Sequence, residues 1–392
     1  MKIAHIEKIR KETQSAGAEA FLVTSNANMY YAIGQVVMGY LYIPVVGAPV
    51  LFVRRPGNFV DSWNDETKDF AAQVFNVRKP EEIADIMAEQ GIKMPRTIMF
   101  EGDLLSHSEW LRYEAVFSEA KAINGTPAIR QARIVKNEDE IELLRKSGRL
   151  HAQVYRKIPE LFRKEMTDIE FSIEIERAMR LAGNLGYFRI FGQSMEIFMG
   201  SLLAGENGCE PSPYDFALGG KGLHPSIPIG AKNMKLEEGM SVMVDINGNF
   251  TGYMTDLTRT FSIGKLSEKA YHAHNTALEI QNEIVQIMRP GTVCEDIYTL
   301  SLDIAKRRGL EDCFMGSSQQ ARFVGHGVGI EVNELPVLAS RSRTQLQAGM
   351  TIAIEPKFAI KGAGAVGIEN TFVITENGNE KLTVVEEEII GL

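Results

Sequence analysis

The sequence predicts two domains, a smaller α/β domain over residues 1–133 and an α+β domain over residues 134–392. The length of 392 residues favours two domains, because one domain usually contains about 100–200 residues. Helix-like and strand-like segments alternate in the first third of the chain, whereas apolar segments separated by glycine-rich turns dominate the remainder. These observations place a supporting domain ahead of a larger domain with mostly antiparallel strands.

The first domain opens with an amphipathic helix pattern. Ile3, Ile6 and Ile9 share one face of a predicted helix over residues 3–16, and Gly17 ends this helix. The next expected elements are a buried strand over 20–24, a hairpin from 41–46 and 49–53, a helix that begins near Pro80, and a strand over 97–100. No ligand-like cluster stands out among residues 1–133, so we expect this to be a supporting or dimerising domain.

The second domain begins where the pattern changes near residue 130. Asn137 precedes three acidic residues, which is favourable at the start of a helix, and this helix should extend through about residue 157. Capping-box spacing at Thr167 and Thr292 predicts two further helices, which should end near Gly183 and Gly309. The expected strands cover 241–247, 253–261, 350–355 and 366–375.

Composition and charge exclude several classes of protein. Apolar residues make up 44% of the chain and charged residues 24%, which excludes disordered and fibrous proteins. No segment approaches the roughly 18 apolar residues of a membrane helix, and a net charge of −9 disfavours nucleic acid and anionic membranes as partners. The charged N-terminal segment lacks the apolar stretch of a signal peptide, so we expect a cytoplasmic protein.

Two carboxylates stand on apolar segments that a single hairpin would join. Asp245 lies within Ser241–Ile246, and Asp256 follows across a glycine-rich turn. If the chain reverses between Phe250 and Thr251, the two acids become directly opposed, with Cβ atoms about 5 Å apart. A buried pair of this kind requires a proton or a cation between the carboxylates, whereas a solvated surface hairpin does not.

The same arrangement occurs again further along the chain. Glu355 ends an apolar strand ahead of Pro356, and Glu369 lies on the next strand beyond the turn segment 361–364. Four converging carboxylates would carry a charge of about −4, which two divalent ions would neutralise. His326, among three glycines, offers an imidazole nitrogen. This oxygen-rich donor set suits manganese, iron or cobalt better than structural zinc.

The order Asp, Asp, His, Glu, Glu and the residues around it resemble the pita-bread metallopeptidases. The motifs are Val-Asp-Ile, Thr-Asp-Leu-Thr-Arg-Thr-Phe, Gly-His-Gly-Val-Gly, Ile-Glu-Pro and Ile-Glu-Asn, all between residues 134 and 392. The segment Asn28–Gly34 is similar to the non-catalytic domain of the Xaa-Pro aminopeptidase and Xaa-Pro dipeptidase (prolidase) branch and of creatinase. The resemblance implies a pita-bread catalytic domain, a creatinase-like N-terminal domain and a homodimer.

The resemblance also implies a role for each candidate ligand. Asp245 would chelate one ion, and His326 would bind the other. Asp256 and Glu369 would bridge both ions, while Glu355 would bind beside the histidine and handle a proton. The two divalent ions would be manganese first, with cobalt, iron or zinc as alternatives. A hydroxide that bridges them is available near neutral pH, and it would attack the carbonyl after the N-terminal residue.

Three further positions concern the substrate. His224, in Gly-Leu-His-Pro, resembles a histidine that contacts substrate, and a capped loop histidine is the alternative. Asn333 stands where the resemblance implies a second histidine; it can donate a hydrogen bond to an oxyanion but carries no proton. Gly367 replaces an arginine that would support a bridging acid. These changes should alter turnover, specificity, metal affinity or substrate orientation, while all five candidate ligands remain.

The main functional hypothesis is a dinuclear metal-dependent exopeptidase that releases an N-terminal residue, most often ahead of proline, from a peptide. The alternative is a metal-dependent hydrolase or lyase of a small non-peptide metabolite on the same scaffold, which the changes at Asn333 and Gly367 keep open. A non-catalytic binding module would be expected to have lost ligands, and this sequence retains them.

Overall fold

The chain divides between Arg133 and Ile134 into two units, Met1–Arg133 and Ile134–Leu392. The computed structural model describes residues 2–57, 72–192, 195, 197–214 and 216–392. Each unit contains a hydrophobic core of its own. Among the described residues, no helix combines the length and the apolar character that crossing a bilayer would require.

One mixed sheet organises the first unit. The elements up to the boundary are α1 (Lys2–Ser15), β1 (Ala20–Val23), α2 (Asn26–Ile33), β2 (Met38–Pro44), β3 (Val50–Arg55), β4 (Gln73–Asn76), α3 (Glu82–Glu89), β5 (Thr97–Phe100), α4 (His107–Val116), β6 (Lys121–Asn124) and α5 (Thr126–Ile134). The strand order is β4-β3-β2-β1-β5-β6. The pairs β1–β2 and β2–β3 are antiparallel, and the other neighbours are parallel. This alternation confirms the predicted α/β class.

A buried carboxylate explains the polar residues at the start of α2. Glu101, directly after β5, accepts hydrogen bonds from the backbone N–H groups of Thr24 and Ser25 at 2.5 and 2.7 Å. It also accepts one from Asn28 Nδ2 at 2.6 Å. A carboxylate that has lost its hydration needs such donors. The network therefore holds α2 against the end of the sheet.

Helices, a four-stranded sheet, a five-stranded sheet and a two-stranded hairpin form the second unit. Its elements are α6 (Glu138–Tyr155), α7 (Ile158–Leu161), α8 (Asp168–Leu181), β7 (Gly200–Ala204), β8 (Ser241–Asn249), β9 (Met254–Ser262), α9 (Glu268–Ile287), α10 (Cys294–Arg307), β10 (Phe323–Gly327), β11 (Glu334–Ala339), β12 (Thr351–Ile354), β13 (Lys357–Ile360), β14 (Gly364–Gly367), β15 (Asn370–Thr375), β16 (Gly378–Lys381) and β17 (Ile390–Gly391), with 3-10 turns at Gly205–Cys209 and Glu311–Cys313. Apolar residues of α6 and α8 pack with β7–β9, whereas those of α9 and α10 pack with β10, β12, β13 and β15.

The two larger sheets of this unit have the orders β17-β9-β8-β7 and β11-β10-β12-β15-β16. The hairpin β13–β14 continues the β12–β15 pair, because Ile354 pairs with Asn370 and Lys357 pairs with Gly367 in the same register. Apart from the β17–β9 pair, the strand pairs of this unit are antiparallel. The structure therefore confirms the predicted α+β class.

The β8–β9 hairpin differs from its predicted register by two residues. Asp256 pairs with Asn247 instead of Asp245, so the two aspartates are diagonal neighbours rather than directly opposed ones. The cause lies in the turn, where Gly252 has a φ of 86° and donates its N–H to Asn249 Oδ1. Glycine adopts positive φ at little cost, so the chain reverses one residue later than predicted. Because side chains alternate along a strand, both aspartates still lie on the same face.

The predicted capping box at Thr292 is also wrong. The N-cap residue of α10 is Val293 and makes no side-chain cap, while Thr292 Oγ1 donates to Ile287 O at 2.6 Å. The first N–H groups of the helix donate instead to the carbonyls of Ser342 and Thr344. A distant backbone segment therefore satisfies groups that the local sequence seemed able to satisfy alone.

The predicted strand over 366–375 is two strands, β14 and β15. The interruption falls at Ile368 and Glu369, where the Ile368 N–H donates to Pro356 O at 3.3 Å. Proline has no N–H for the return bond, so the ladder cannot continue through this point. The interruption leaves Glu355 and Glu369 beside each other, just beyond the last β12–β15 pair.

Candidate metal centre

Five titratable residues from both sheets of the second unit converge at one place. Asp245 lies on β8, Asp256 on β9 and His326 on β10, while Glu355 directly follows β12 and Glu369 directly precedes β15. The side chain of Asp245 is 25% exposed to solvent, and the other four side chains are each 14% exposed or less. The structure thus brings together every residue that the sequence predicted as a ligand.

Hydrogen bonds between β9 and β15 hold the acids close together. The Glu369 N–H donates to Thr258 O at 3.1 Å, and Thr258 Oγ1 donates to Glu369 Oε2 at 2.8 Å. Beside this contact, the Asp256 N–H donates to Thr371 Oγ1 at 2.8 Å, and that hydroxyl donates to Asp256 O at 2.9 Å. These bonds fasten the hairpin that carries the aspartates to the strands that carry the glutamates.

Three of the five residues have the spacing of a cation site. Asp256, His326 and Glu369 each present one ligand atom, and these atoms lie within 4.8 Å of one another. His326 Nε2 lies 3.9 Å from Asp256 Oδ2 and 3.4 Å from Glu355 Oε1. Glu369 Oε1 is buried and has no hydrogen-bond partner among the described residues. Because an unpaired buried carboxylate oxygen is unfavourable, these residues fit a divalent cation.

A lysine that the sequence analysis missed lies among the same carboxylates. Lys357 Nζ donates to Asp245 Oδ2 at 2.9 Å, to Glu355 Oε2 at 2.8 Å and to Glu369 Oε2 at 2.9 Å. The lysine side chain is 2% exposed. The sequence did contain a signal, because Lys357 stands two residues after Glu355 in an extended segment, and such residues share a face.

The crowding of charges shifts the pKa values of the cluster. Burial and repulsion by Asp245 raise the pKa of Asp256 to about 7, and burial together with Asp256 holds the pKa of Glu369 well above its ordinary value. Burial alone would lower the pKa of His326, but the hydrogen bond with Glu355 and the neighbouring negative charges raise it to about 10. Without a metal ion the cluster therefore retains protons, which a bound cation would displace.

The two residues predicted to contact substrate have other partners in this structure. His224 is exposed, and its Nδ1 lies 2.8 Å from Ser226 Oγ in the same loop. Asn333 Oδ1 accepts a hydrogen bond from the Phe191 N–H at 2.7 Å, and Asn333 Nδ2 donates to Phe191 O at 2.8 Å. The side chain of Asn333 thus links the start of β11 to a segment far away in sequence. The catalytic roles of both residues stay predictions.

Comparison with known proteins identifies the family. Residues 142–376 match metallopeptidase family M24, and residues 5–135 match the creatinase/prolidase N-terminal domain. The chain belongs to metallopeptidase family M24. This M24 peptidase is therefore an enzyme of the metallopeptidase class, and its family implies the use of divalent metal ions.

Several relatives match nearly the whole length of the M24 peptidase. A Xaa-Pro dipeptidase from Pyrococcus furiosus is 29% identical over 388 residues, which cover 98% of this chain and 99% of the relative. The uncharacterized peptidase YqhT from Bacillus subtilis is 27% identical, with 99% of each chain covered. Among solved structures, the Xaa-Pro dipeptidase from Bacillus anthracis has a TM-score of 0.83 at 24% identity and covers 100% of both chains.

These comparisons confirm two predictions made from the sequence. The fold is the pita-bread fold of the M24 family, preceded by a creatinase-like N-terminal domain. The enzyme class is metallopeptidase, and the comparisons support the peptidase hypothesis rather than the alternative of a non-peptide metabolite as substrate.

Proposed function

We propose that this M24 peptidase is an exopeptidase that hydrolyses the bond after an N-terminal residue when proline follows. The observation that carries the proposal is the convergence of Asp256, His326 and Glu369 around one position, with Glu355 beside the imidazole. The preference for Xaa-Pro substrates is supported by the Xaa-Pro dipeptidases of Pyrococcus furiosus and Bacillus anthracis, which match this chain over nearly its full length.

The residues of the centre have separate functions in this proposal. A divalent ion held by Asp256, His326 and Glu369 would supply the Lewis acidity that activates water and polarises a carbonyl group. Burial would raise the pKa of Glu355, but the charge of Lys357 and the hydrogen bond from His326 lower it to about 2. Glu355 is therefore ionised at neutral pH, and it orients the attacking water as a hydrogen-bond acceptor.

A neighbouring cavity offers space for the remainder of the peptide. The cavity has a volume of about 400 Å³, and its walls include the aromatic rings of Tyr214, Phe216 and Phe323. The centroid of the Phe323 ring also lies 6.4 Å from that of the His326 ring, so one wall residue of the cavity is close to the cluster. Aromatic faces bind apolar side chains and the ring of proline. His224 and Asn333 remain the proposed polar contacts to substrate.

Several finer predictions belong to this proposal. Manganese is the expected ion, since carboxylate oxygens outnumber nitrogen in the donor set, and cobalt, iron and zinc are the alternatives. The prediction of two ions rests on the sequence resemblance. It also requires space for a second ion beside the Lys357 ammonium group, which contacts three of the carboxylates. A homodimer and a cytoplasmic location are likewise expected from the sequence. Light scattering after size-exclusion chromatography measures the mass of the assembly directly.

The peptidase proposal is tested with the purified, manganese-loaded protein and a matched peptide panel. The panel pairs Xaa-Pro dipeptides and longer Xaa-Pro peptides with the same peptides carrying alanine in place of proline. We expect release of the first residue from the proline series. The substitution Asp256→Asn should reduce kcat/KM on the order of 10³-fold, because losing a ligand forfeits several kcal/mol of charge stabilisation.

The control is Asp303→Asn, which makes the same chemical change at an exposed position of α10. This variant should keep the activity of the unmodified protein. If the metal-loaded protein released no residue from any peptide of either series, or if Asp256→Asn kept full activity, the proposed exopeptidase function would be wrong.

A further inference from the structure

Lys357 Nζ lies at a point whose surroundings are those of a bound cation. Its three neighbours are carboxylate oxygens of Asp245, Glu355 and Glu369, at 2.8–2.9 Å. An ammonium group has three N–H donors, and each of the three is directed to a different carboxylate. A metal ion at this position would have to bind the same three oxygens that the ammonium group now occupies.

The backbone of Lys357 is fixed where it directs the side chain into the cluster. Lys357 pairs with Gly367 in the β13–β14 hairpin, and its carbonyl accepts a hydrogen bond from the Met315 N–H at 2.8 Å. The strands lie so close that a Cβ atom on Gly367 would be 2.7 Å from the Lys357 Cα. Because Glu355 is two residues earlier on the same face, the ammonium stays among these carboxylates.

The cluster therefore contains two separate positions for positive charge. One is enclosed by Asp256, His326 and Glu369, where Glu369 Oε1 has no partner among the described residues. The other involves Asp245, which does not belong to that group of three and directs Oδ2 to Lys357. Glu369 contributes to both positions, with Oε2 bonded to the lysine.

We propose that the Lys357 ammonium takes the place of one of the two divalent ions that the sequence resemblance implied, so that this M24 peptidase binds a single divalent ion per chain. A second ion that shared the same oxygens would lie within a few ångströms of the ammonium, where two positive charges in a buried site repel strongly. The inference deepens the proposed function, on which it rests only for the presence of a metal ion. Lys357 supplies a permanent positive charge next to the single ion.

Metal stoichiometry tests this inference without any substrate. The full-length protein is stripped with a chelator, reloaded with Mn(II), freed of unbound metal and analysed by mass spectrometry for manganese per chain. We expect about one ion per chain in the unmodified protein and about two in Lys357→Ala, because the substitution frees three carboxylate oxygens for a second ion.

Electron paramagnetic resonance of the same samples supplies a second measurement. The unmodified protein should show the hyperfine pattern of isolated Mn(II), and Lys357→Ala should show the pattern of a magnetically coupled pair. The spectrum and metal content of the unmodified protein test the inference even if Lys357→Ala does not fold. Two coupled ions in the unmodified protein would mean that Lys357 contacts the carboxylates without occupying the position of an ion, and the inference would be overturned.

Lys136→Ala is the matched control, since it removes another buried ammonium from the same unit. Lys136 Nζ donates to a single carboxylate, that of Glu334, at 2.8 Å, and its side chain is 1% exposed. This variant should keep the metal content of the unmodified protein. A gain of an ion in the control, no gain in folded Lys357→Ala, or no bound ion in the unmodified protein would each overturn the inference.

The outcome is independent of the peptide experiment. A protein that binds one ion but cleaves no peptide would retain the inference about Lys357 and lose the proposed exopeptidase function. A protein that binds two ions and cleaves Xaa-Pro peptides would have the proposed function and would contradict the inference.

Discussion

Arg259 shows how one buried side chain supports the metal centre without entering it. The guanidinium donates to the carbonyls of Thr258 and Glu369 at 2.7 and 2.9 Å and to Asn370 Oδ1 at 2.8 Å. Its other donors reach carbonyls near the C-terminus at 2.6 and 3.1 Å. The carboxylate of Glu387 lies farther away, at 3.9 Å, so backbone carbonyls and one amide oxygen are the main partners of the guanidinium.

At this residue we predict that Arg259→Met lowers the free energy of unfolding by about 3 kcal/mol or more, because several buried acceptors lose their donor. Arg259→Lys is the matched variant: its charge remains, but three donors cannot reproduce five in a planar group, so the loss should be intermediate. Denaturant unfolding of the three proteins measures both effects. A Met variant as stable as the unmodified protein would show that these hydrogen bonds contribute nothing net.

At the scale of elements, the turn between β8 and β9 decides how the aspartates meet. Gly252 has positive φ within this turn, and the pairing of Asn247 with Asp256 follows from its position. Asp245 is therefore displaced along the strand from Asp256 and lies where Lys357 can reach it. Because the chain reverses one residue later than predicted, Asp245 and Asp256 do not face each other directly. Each aspartate therefore belongs to a different position for positive charge.

We predict that Gly252→Ala destabilises the protein by about 1–2 kcal/mol, because a side chain disfavours positive φ. Gly252→Asn should lose less, since asparagine adopts this conformation more readily than alanine. The midpoints of thermal unfolding compare the two variants with the unmodified protein. If alanine and asparagine were equally well tolerated, the conformation of Gly252 would not be what determines the turn.

At the scale of the whole molecule, burial keeps two histidines neutral. Burial, with a smaller contribution from Arg259, lowers the pKa of His151 to about 3. Burial also outweighs the hydrogen bond to the Glu387 carbonyl and lowers the pKa of His274 to about 4. Both side chains are in the second unit, each within a helix packed on the sheets. The unfolded chain binds protons at both positions at a higher pH than the folded chain does.

The sign of the resulting pH dependence follows from this difference. Between about pH 6.5 and pH 4 the unfolded state binds a proton at each histidine that the folded state does not bind, so stability falls as the pH falls. Each histidine should remove about 1.6 kcal/mol between pH 6.5 and pH 5, because the unfolded side chain is only half protonated at pH 6.5. His151→Asn should therefore reduce the slope of stability against pH over this range.

Unfolding measured at several pH values checks this expectation, with His107→Asn as control because His107 is exposed. The control should leave the slope unchanged. An identical slope in His151→Asn and the unmodified protein would show that the folded state protonates His151 as readily as the unfolded chain does.

Much of this organisation could be predicted from the sequence because it depends on neighbouring residues. Hydrophobic periodicity and caps such as Asn137 and Thr167 predicted helices that the structure contains, each with a complete capping box. The cap at Thr292 was predicted wrongly, since a distant backbone satisfies that helix. Carboxylates on apolar strands pointed to the cluster because burial of charge requires compensation.

By itself, the sequence determined the fold class and predicted which acids form the cluster, since apolar strands interrupted by acids already demand a buried positive partner. The tertiary structure alone decided which positive groups those acids meet. The contact of Lys357 with Asp245 joins residues 112 positions apart, and that of Asn333 with Phe191 joins residues 142 apart. Such contacts depend on strand register and on the packing of two sheets, and neither is specified by the residues adjacent in the chain.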